Sequence, residues 1–355
     1  MFATILGCMI FNTVALSSPE NKQDQITLSD KLQEINSTNI FRDPEYFNWC
    51  NSIIKGDDGK YHLIYSRWKR NQSFQAWLTK STIAHAISDS PTGPYRYVNT
   101  LVDFEKPIYK AGNLITAHNP KIKKFNGKYY LYFIGTHADK DLSSQQLDQI
   151  AKNSYSDPMW TPLRENQRSY VAVSDSISGP WKIEKKPLVK PDGPIQTLAV
   201  NPAITQGKDG KFYLIIKGDK KGADFRLRSQ AIALSDFPDK GFKIQEKPVI
   251  DGWDTEDVSM WCDEKTGRFY AIFHAHNYLG LMTSADGIHW EKAKDFKITT
   301  KNIKRQNGQP DMKVSRMERP SVFLEKGKPV ALSVAVMDKG DITGDTFIVI
   351  IPLKH

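Results

Sequence analysis

The stretch AHNPKIKKFNGKYYLYFIG at 117–135 is written again, with little change of pattern, as AVNPAITQGKDGKFYLIIKG at 199–218. Both read as a polar–Pro step, a short apolar strand, a turn with Gly, and a second apolar strand. Three further copies follow the same plan: WCNSIIKGDDGKYHLIYSRW at 49–68, TEDVSMWCDEKTGRFYAIFHAH at 255–276 and MERPSVFLEKGKPVALSVAV at 317–336. Each is a β-hairpin signal. The matching register positions are Asn51, Pro120, Pro202, Val258 and Pro320, separated by 56 to 82 residues, which is room for four strands per unit. The outer half of a unit recurs too, as IAHAISDSPTGPYRYV, YVAVSDSISGPWKIE, AIALSDFPDKGFKIQ and LGLMTSADGIHWEKA. Self-similarity at this period marks repeated architecture. Five inner hairpins with at least four matching outer ones predict an all-β chain, a five-bladed β-propeller. A sandwich would not restart so regularly.

Bulk properties narrow the class. The chain has 355 residues, 39% hydrophobic and 25% charged, with a net charge of +9. The positive charge is dispersed through turns such as KKPLVKPDG, and no Lys/Arg run reaches five, so no nucleic-acid partner is expected. The segment MFATILGCMIFNTVALSSPENKQ is apolar for about sixteen residues and then abruptly polar, as a secretory h-region is. Residues 1–18 are therefore expected to be a signal peptide, 19–40 an N-terminal extension and 41–355 the propeller. The protein is expected to be exported, to the periplasm or the extracellular space. ILGC at 5–8 resembles a lipoprotein cleavage box, so no membrane contact is expected beyond a lipid anchor there. Cys50 and Cys262 could form one disulfide but lack metal-ligand spacing.

Propeller topology locates a site. The first strand of each blade is innermost and the second antiparallel to it, so starts of strand one and ends of strand two share a face. That face gathers Cys50-Asn51, His118-Asn119, Asn201, Glu256-Asp257 and Glu318-Arg319 with Arg67-Trp68, His137, Lys217, His274 and His276. Convergent polar groups at one end of a channel are what a ligand site needs. Of His274 and His276, only one is expected to face the axis. Arg67 and Arg319 could clamp a carboxylate or sulfate. The insertion at 137–168, with Leu142, Leu147 and Ile150 at helical spacing, is expected to be a short helical rim element in blade two.

Five blades, each opening on an N-P or E-x-P type step, resemble the five-bladed glycoside hydrolases over residues 41–353: family 43, the invertase-like families and family 117. The resemblance implies an exo-acting hydrolase of plant or algal oligosaccharides or polysaccharides, acidic or sulfated ones among them. It places Glu256 of TEDVSMW on the general acid. Cys50-Asn51 stands where the family has its base Asp, so a second carboxylate must come from elsewhere. Glu318 is the favoured partner, ahead of Asp257 and of Asp43 in FRDPEYF. No cofactor is implied as a requirement, and a structural divalent cation near the axis is compatible with such propellers. The competing readings are a glycan-binding propeller without catalysis and a sialidase-like enzyme, the latter on the Asp-box-like turn SADGIHW at 284–290.

Overall fold

The computed structural model describes residues 25–106, 113–223 and 227–354, so the signal peptide expected at 1–18 lies outside the described residues. A short strand β1 (Ile40–Phe41) precedes the first sheet, β2 (Tyr46–Lys55), β3 (Tyr61–Lys69), β4 (Thr82–Ser88) and β5 (Arg96–Val102). The second sheet is β6 (Leu114–Phe125), β7 (Lys128–His137), β8 (Gln167–Ser174) and β9 (Lys182–Ile183). The third is β10 (Ile195–Gln206), β11 (Phe212–Lys220), β12 (Arg228–Ser235) and β13 (Lys243–Ile250). The fourth is β14 (Thr255–Cys262), β15 (Phe269–Ala275), β16 (Tyr278–Ser284) and β17 (Glu291–Thr300). A small hairpin, β18 (Asn302–Ile303) with β19 (Met312–Lys313), leads to β20 (Arg316–Glu325), β21 (Lys328–Met337) and β22 (Thr346–Pro352).

Within each sheet, neighbours pair antiparallel in chain order. The last sheet takes its outer strand from the N-terminal side, with Ile40 opposite Val349 and Phe41 opposite Ile348. Residues 25–40 are accordingly part of the packed body. Leu28 and Ile35 are buried against the fourth and fifth sheets, and the Leu28 N–H donates to Asp295 Oδ2 at 2.6 Å. The first strands touch in the cycle β2, β6, β10, β14, β20 and back to β2, which closes a ring.

The repeated step has a physical cause. In every first strand the ladder slips at the same place, between Trp49 and Asn51, His118 and Lys121, Val200 and Ala203, Glu256 and Ser259, and Glu318 and Ser321. At each slip one residue is left-handed: Cys50, Asn119, Asn201, Asp257 and Arg319, with φ between 50° and 64°. These are β-bulges, which bend a strand and re-aim its side chains. Pro follows three of the five because a bulge lacks the ladder bond that its missing N–H would make. Gly59, Gly127, Gly210, Gly267 and Gly327, at φ near 80°, turn the inner hairpins. In the outer turns Ser88, Ser174, Ser235 and Ser284 each accept the N–H two residues on.

Core residues fill the wedges between neighbouring sheets. Ile64 and Ile83 meet Leu131 and Phe133 between the first and second, and Leu63 and Tyr65 meet Ile348 and Ile350 between the first and last. Fully buried Leu, Ile and Phe side chains are each worth about 1.5–3 kcal/mol of transfer free energy, so these wedges hold the ring together.

Candidate active site

The bulges place one residue from each first strand in a common cavity of about 510 Å3: Trp49, His118, Val200, Glu256 and Glu318. Asn201 and Arg319 reach it from the bulges themselves, and Lys217 and His274 from the second strands. The insertion between β7 and β8 forms one wall. The β3–β4 loop carries the one-turn helix α1 (Trp77–Lys80), and the insertion holds α2 (Ser144–Asn153), capped by a reciprocal Ser143–Gln146 pair, and α3 (Trp160–Glu165). Leu147, Ile150, Ala151, Trp160 and Leu163 are buried beneath it, so the wall has its own apolar footing. Tyr155, Trp160 and Arg164 face the cavity, and Phe74, Gln75 and Trp77 face it from the β3–β4 loop.

Glu256 lies between two cations. Its Oε2 is 3.3 Å from Lys217 Nζ and its Oε1 is 2.7 Å from Arg228 Nε. Burial pushes its pKa up, but Lys217, Arg228, Arg319 and His274 together outweigh burial and hold it well below the usual carboxylate range. Glu318 Oε1 accepts from Arg316 Nε at 2.7 Å. Burial again raises its pKa, while His274, Arg316 and Arg319 bring it below the ordinary value. Both glutamates are therefore carboxylates at neutral pH.

Beneath them the axis is tied together. Asp257 Oδ1 pairs with Arg319 and accepts from Asn201 Nδ2 at 2.7 Å. His274 is the ladder partner of Glu256, and its Nδ1 is 3.7 Å from Asp257 Oδ2. Neither of those two atoms makes a hydrogen bond. Donor atoms of Asp257, His274 and Glu318 lie within 4.8 Å of one another, so this trio could hold a divalent cation, with Arg319 and Arg316 already beside its two carboxylates. His118 sits between Ser81 Oγ, 2.9 Å from Nδ1, and Cys50 Sγ, 3.4 Å from Nε2. Burial, with Arg319 and Lys217, holds its pKa well below the usual imidazole value, so it is neutral. Burial pushes the Cys50 thiol up to about 12, so it is no nucleophile.

Several expected residues lie elsewhere. Asp43 accepts from Arg67 Nη1 at 2.6 Å, and the Arg67 guanidinium lies between the Tyr46 and Tyr97 rings, outside the cavity lining. Asp257 and Asn119 are buried without lining the cavity, and Trp68 packs behind His118. His137 is half-buried, 3.6 Å from Asp139 and outside the cavity lining. His274 and His276 both line the cavity, which corrects the expectation that only one would: residues two apart share a face of a strand, and His276 follows directly on β15, which ends at Ala275. Cys50 and Cys262 are free thiols. The SADGIHW turn has Asp286 accepting from the Ile288 and His289 N–H groups, away from the cavity lining. Arg228 and Arg316 were not singled out in the sequence. Arg316 was findable, since it stands two residues before Glu318 on the same strand face; Arg228 reaches Glu256 only through the third sheet's fold.

A family model, Glycosyl hydrolases family 43, matches residues 99–300. No curated protein sequence matches the chain. Among solved structures the chain is similar to a family 117 glycoside hydrolase of the marine bacterium Zobellia galactanivorans, at 15% identity and a TM-score of 0.60, over 91% of this chain and 89% of that one. It is also similar to a GH43 β-xylosidase/α-arabinofuranosidase from a compost microbial metagenome, in complex with xylotriose, at 17% identity and 0.54, over 91% and 96%. An α-L-arabinofuranosidase of Lactobacillus brevis matches at 14% and 0.53, over 92% and 94%. At such identities these likenesses speak for the fold, that of the β-propeller glycoside hydrolases. The family match spans more than half of the sequence, and the chain belongs to glycosyl hydrolase family 43, a family of glycosidases.

Proposed function

We propose that this glycosidase is an exported, exo-acting enzyme that removes a terminal acidic or sulfated sugar from plant or algal oligosaccharides. In this reading the five sheets are the blades of a five-bladed propeller, the α2–α3 insertion is its rim, and residues 41–355 form the catalytic domain. The observation that carries it is the cavity: Glu256 and Glu318 face one walled space among Arg164, Lys217, Arg228, Lys301, Arg316 and Arg319. A walled pocket admits a chain end, and six lining cations against three lining carboxylates, Asp341 with the two glutamates, favour an anionic one.

The same charges suggest how Glu256 gains its proton. An anionic sugar group competes with Glu256 for Lys217 and Arg228. Once those cations turn to the substrate, burial becomes the dominant influence on Glu256 and raises its pKa. A carboxyl group so raised can protonate the leaving oxygen. Glu318, kept ionised by His274, Arg316 and Arg319 together, is the second carboxylate that hydrolysis requires.

The test is a panel of neutral, uronic and sulfated plant and algal oligosaccharides, with products followed in time. Release of single terminal residues, faster from acidic substrates and slowed by salt as charges are screened, is the expected result. Salt-insensitive activity on a neutral arabinoside or xyloside would remove the acidic preference. Mid-length products from a long polymer would overturn the exo reading.

A further inference from the structure

The axial channel has a second recess. Two residues beyond each left-handed bulge stand Ser52, Lys121, Ala203, Ser259 and Ser321, one from each sheet. Alternation along the strand brings these positions back to the axis. All five line a cavity of about 320 Å3 that shares no residue with the one holding Glu256. This ring offers three hydroxyls and one ammonium. Lys121 is 3% exposed, and its Nζ donates to the carbonyls of Asn51 at 3.5 Å and Pro320 at 3.2 Å. Lys123, two residues further along β6, lines the same cavity.

The charge here is out of balance. Neither lysine forms an ion pair among the described residues, whereas neighbouring Lys124 is paired with Asp57. Glu264 is exposed at the lining, and Asp257, on the other side of the bulge layer, is already bound to Arg319. Ammonium groups taken out of water need a counter-charge or lose their proton. We propose that this recess is an anion site, taking a small oxyanion of the sulfate or phosphate class between Lys121, Lys123 and the ring serines. Burial pushes both lysines down to about 8. Around Lys121 the other acting groups are Asp257, Cys50, Lys123 and Arg319; for Lys123 it is burial alone. The lysines are mostly charged at neutral pH, and the site should empty as pH rises through that value.

Selenate is a suitable probe, because its anomalous scattering locates it in a crystal apart from any ion in the Glu256 cavity. The expected result is a peak within hydrogen-bonding reach of Lys123 Nζ in the wild type and none in Lys123→Met. Calorimetry at fixed ionic strength should show this binding event weakened roughly tenfold or more by the substitution, as for loss of a charged hydrogen bond. It should weaken likewise when the pH is raised from about 7 to about 9. Glycosidase turnover should not change in Lys123→Met, which serves as the folding control. Displacement of selenate by inorganic sulfate assigns the site to a free ion, and displacement only by a sulfated monosaccharide assigns it to a glycan-borne group. No peak in the wild type, or equal selenate affinity in both proteins, overturns the proposal.

Discussion

The Asp43–Arg67 pair and the Glu256–Lys217–Arg228 cluster are made of the same chemistry and have opposite surroundings. Asp43 and Arg67 are closed in: the guanidinium lies between two tyrosine rings and also donates to Tyr97 and Thr100 at 2.9 Å. Both terminal nitrogens are committed, Nη1 to Asp43 and Nη2 to Tyr97 and Thr100, while the buried Nε has no partner. Glu256 and its cations instead line an open cavity and face a second carboxylate, Glu318, across it. Ionic pairing alone therefore does not mark a catalytic group. In the proposed reading access does, together with partners that a ligand can recruit.

The largest effect that separates the two clusters should come from the cavity glutamates. Glu256→Gln and Glu318→Gln should each lower kcat by about 10²–10⁴-fold, with the fold retained by circular dichroism. Turnover near the native rate in either variant removes that residue from the mechanism. A second effect is a shift in pH dependence. Lys217 and Arg228 hold the Glu256 pKa down, so Lys217→Met or Arg228→Met should let it rise. Whichever limb of the kcat/KM profile Glu256 sets should then move to higher pH. An unmoved profile would show that these cations do not control it.

The closed pair should respond in stability and not in rate. The Arg67 and Asp43 side chains are 8% and 13% exposed, so Asp43→Asn leaves a buried cation poorly compensated. A loss of about 3 kcal/mol is expected in denaturant unfolding, with kcat/KM close to native. The smallest effect belongs to His276, whose side chain is 70% exposed and touches Asp254. His276→Ala should change stability by less than about 0.5 kcal/mol.

How legible these regions were in the sequence follows from their physics. The ring of sheets was legible because each N-P or E-x-P step encodes a bulge, a local backbone event that recurs with the repeat. That Glu256 and Glu318 reach the cavity was legible for the same reason, since both stand immediately before left-handed residues. That Asp43 lies outside the cavity was not legible, because a carboxylate in a loop looks available until Arg67, from another strand, is seen to pair with it. Arg67 misled in the same way, since the end of a second strand specifies a face but not which side of the sheet the side chain takes. His276 misled because residues two apart share a strand face, so His274 and His276 belong on one side, where one of them was expected to turn away. Arg228 could not be read at all, because its nearness to Glu256 depends on how the third and fourth sheets pack.

The comparison is tested most directly by measuring kcat/KM for Glu318→Gln and Asp43→Asn side by side, on whichever glycoside the wild type cleaves fastest. The cavity carboxylate should cost about 10²-fold or more, while the enclosed one leaves the rate near native at a temperature where both variants are folded. If Asp43→Asn proves the more damaging of the two in rate, the second carboxylate belongs to the loop before β2, and the assignment of the active centre to the Glu256–Glu318 cavity is contradicted.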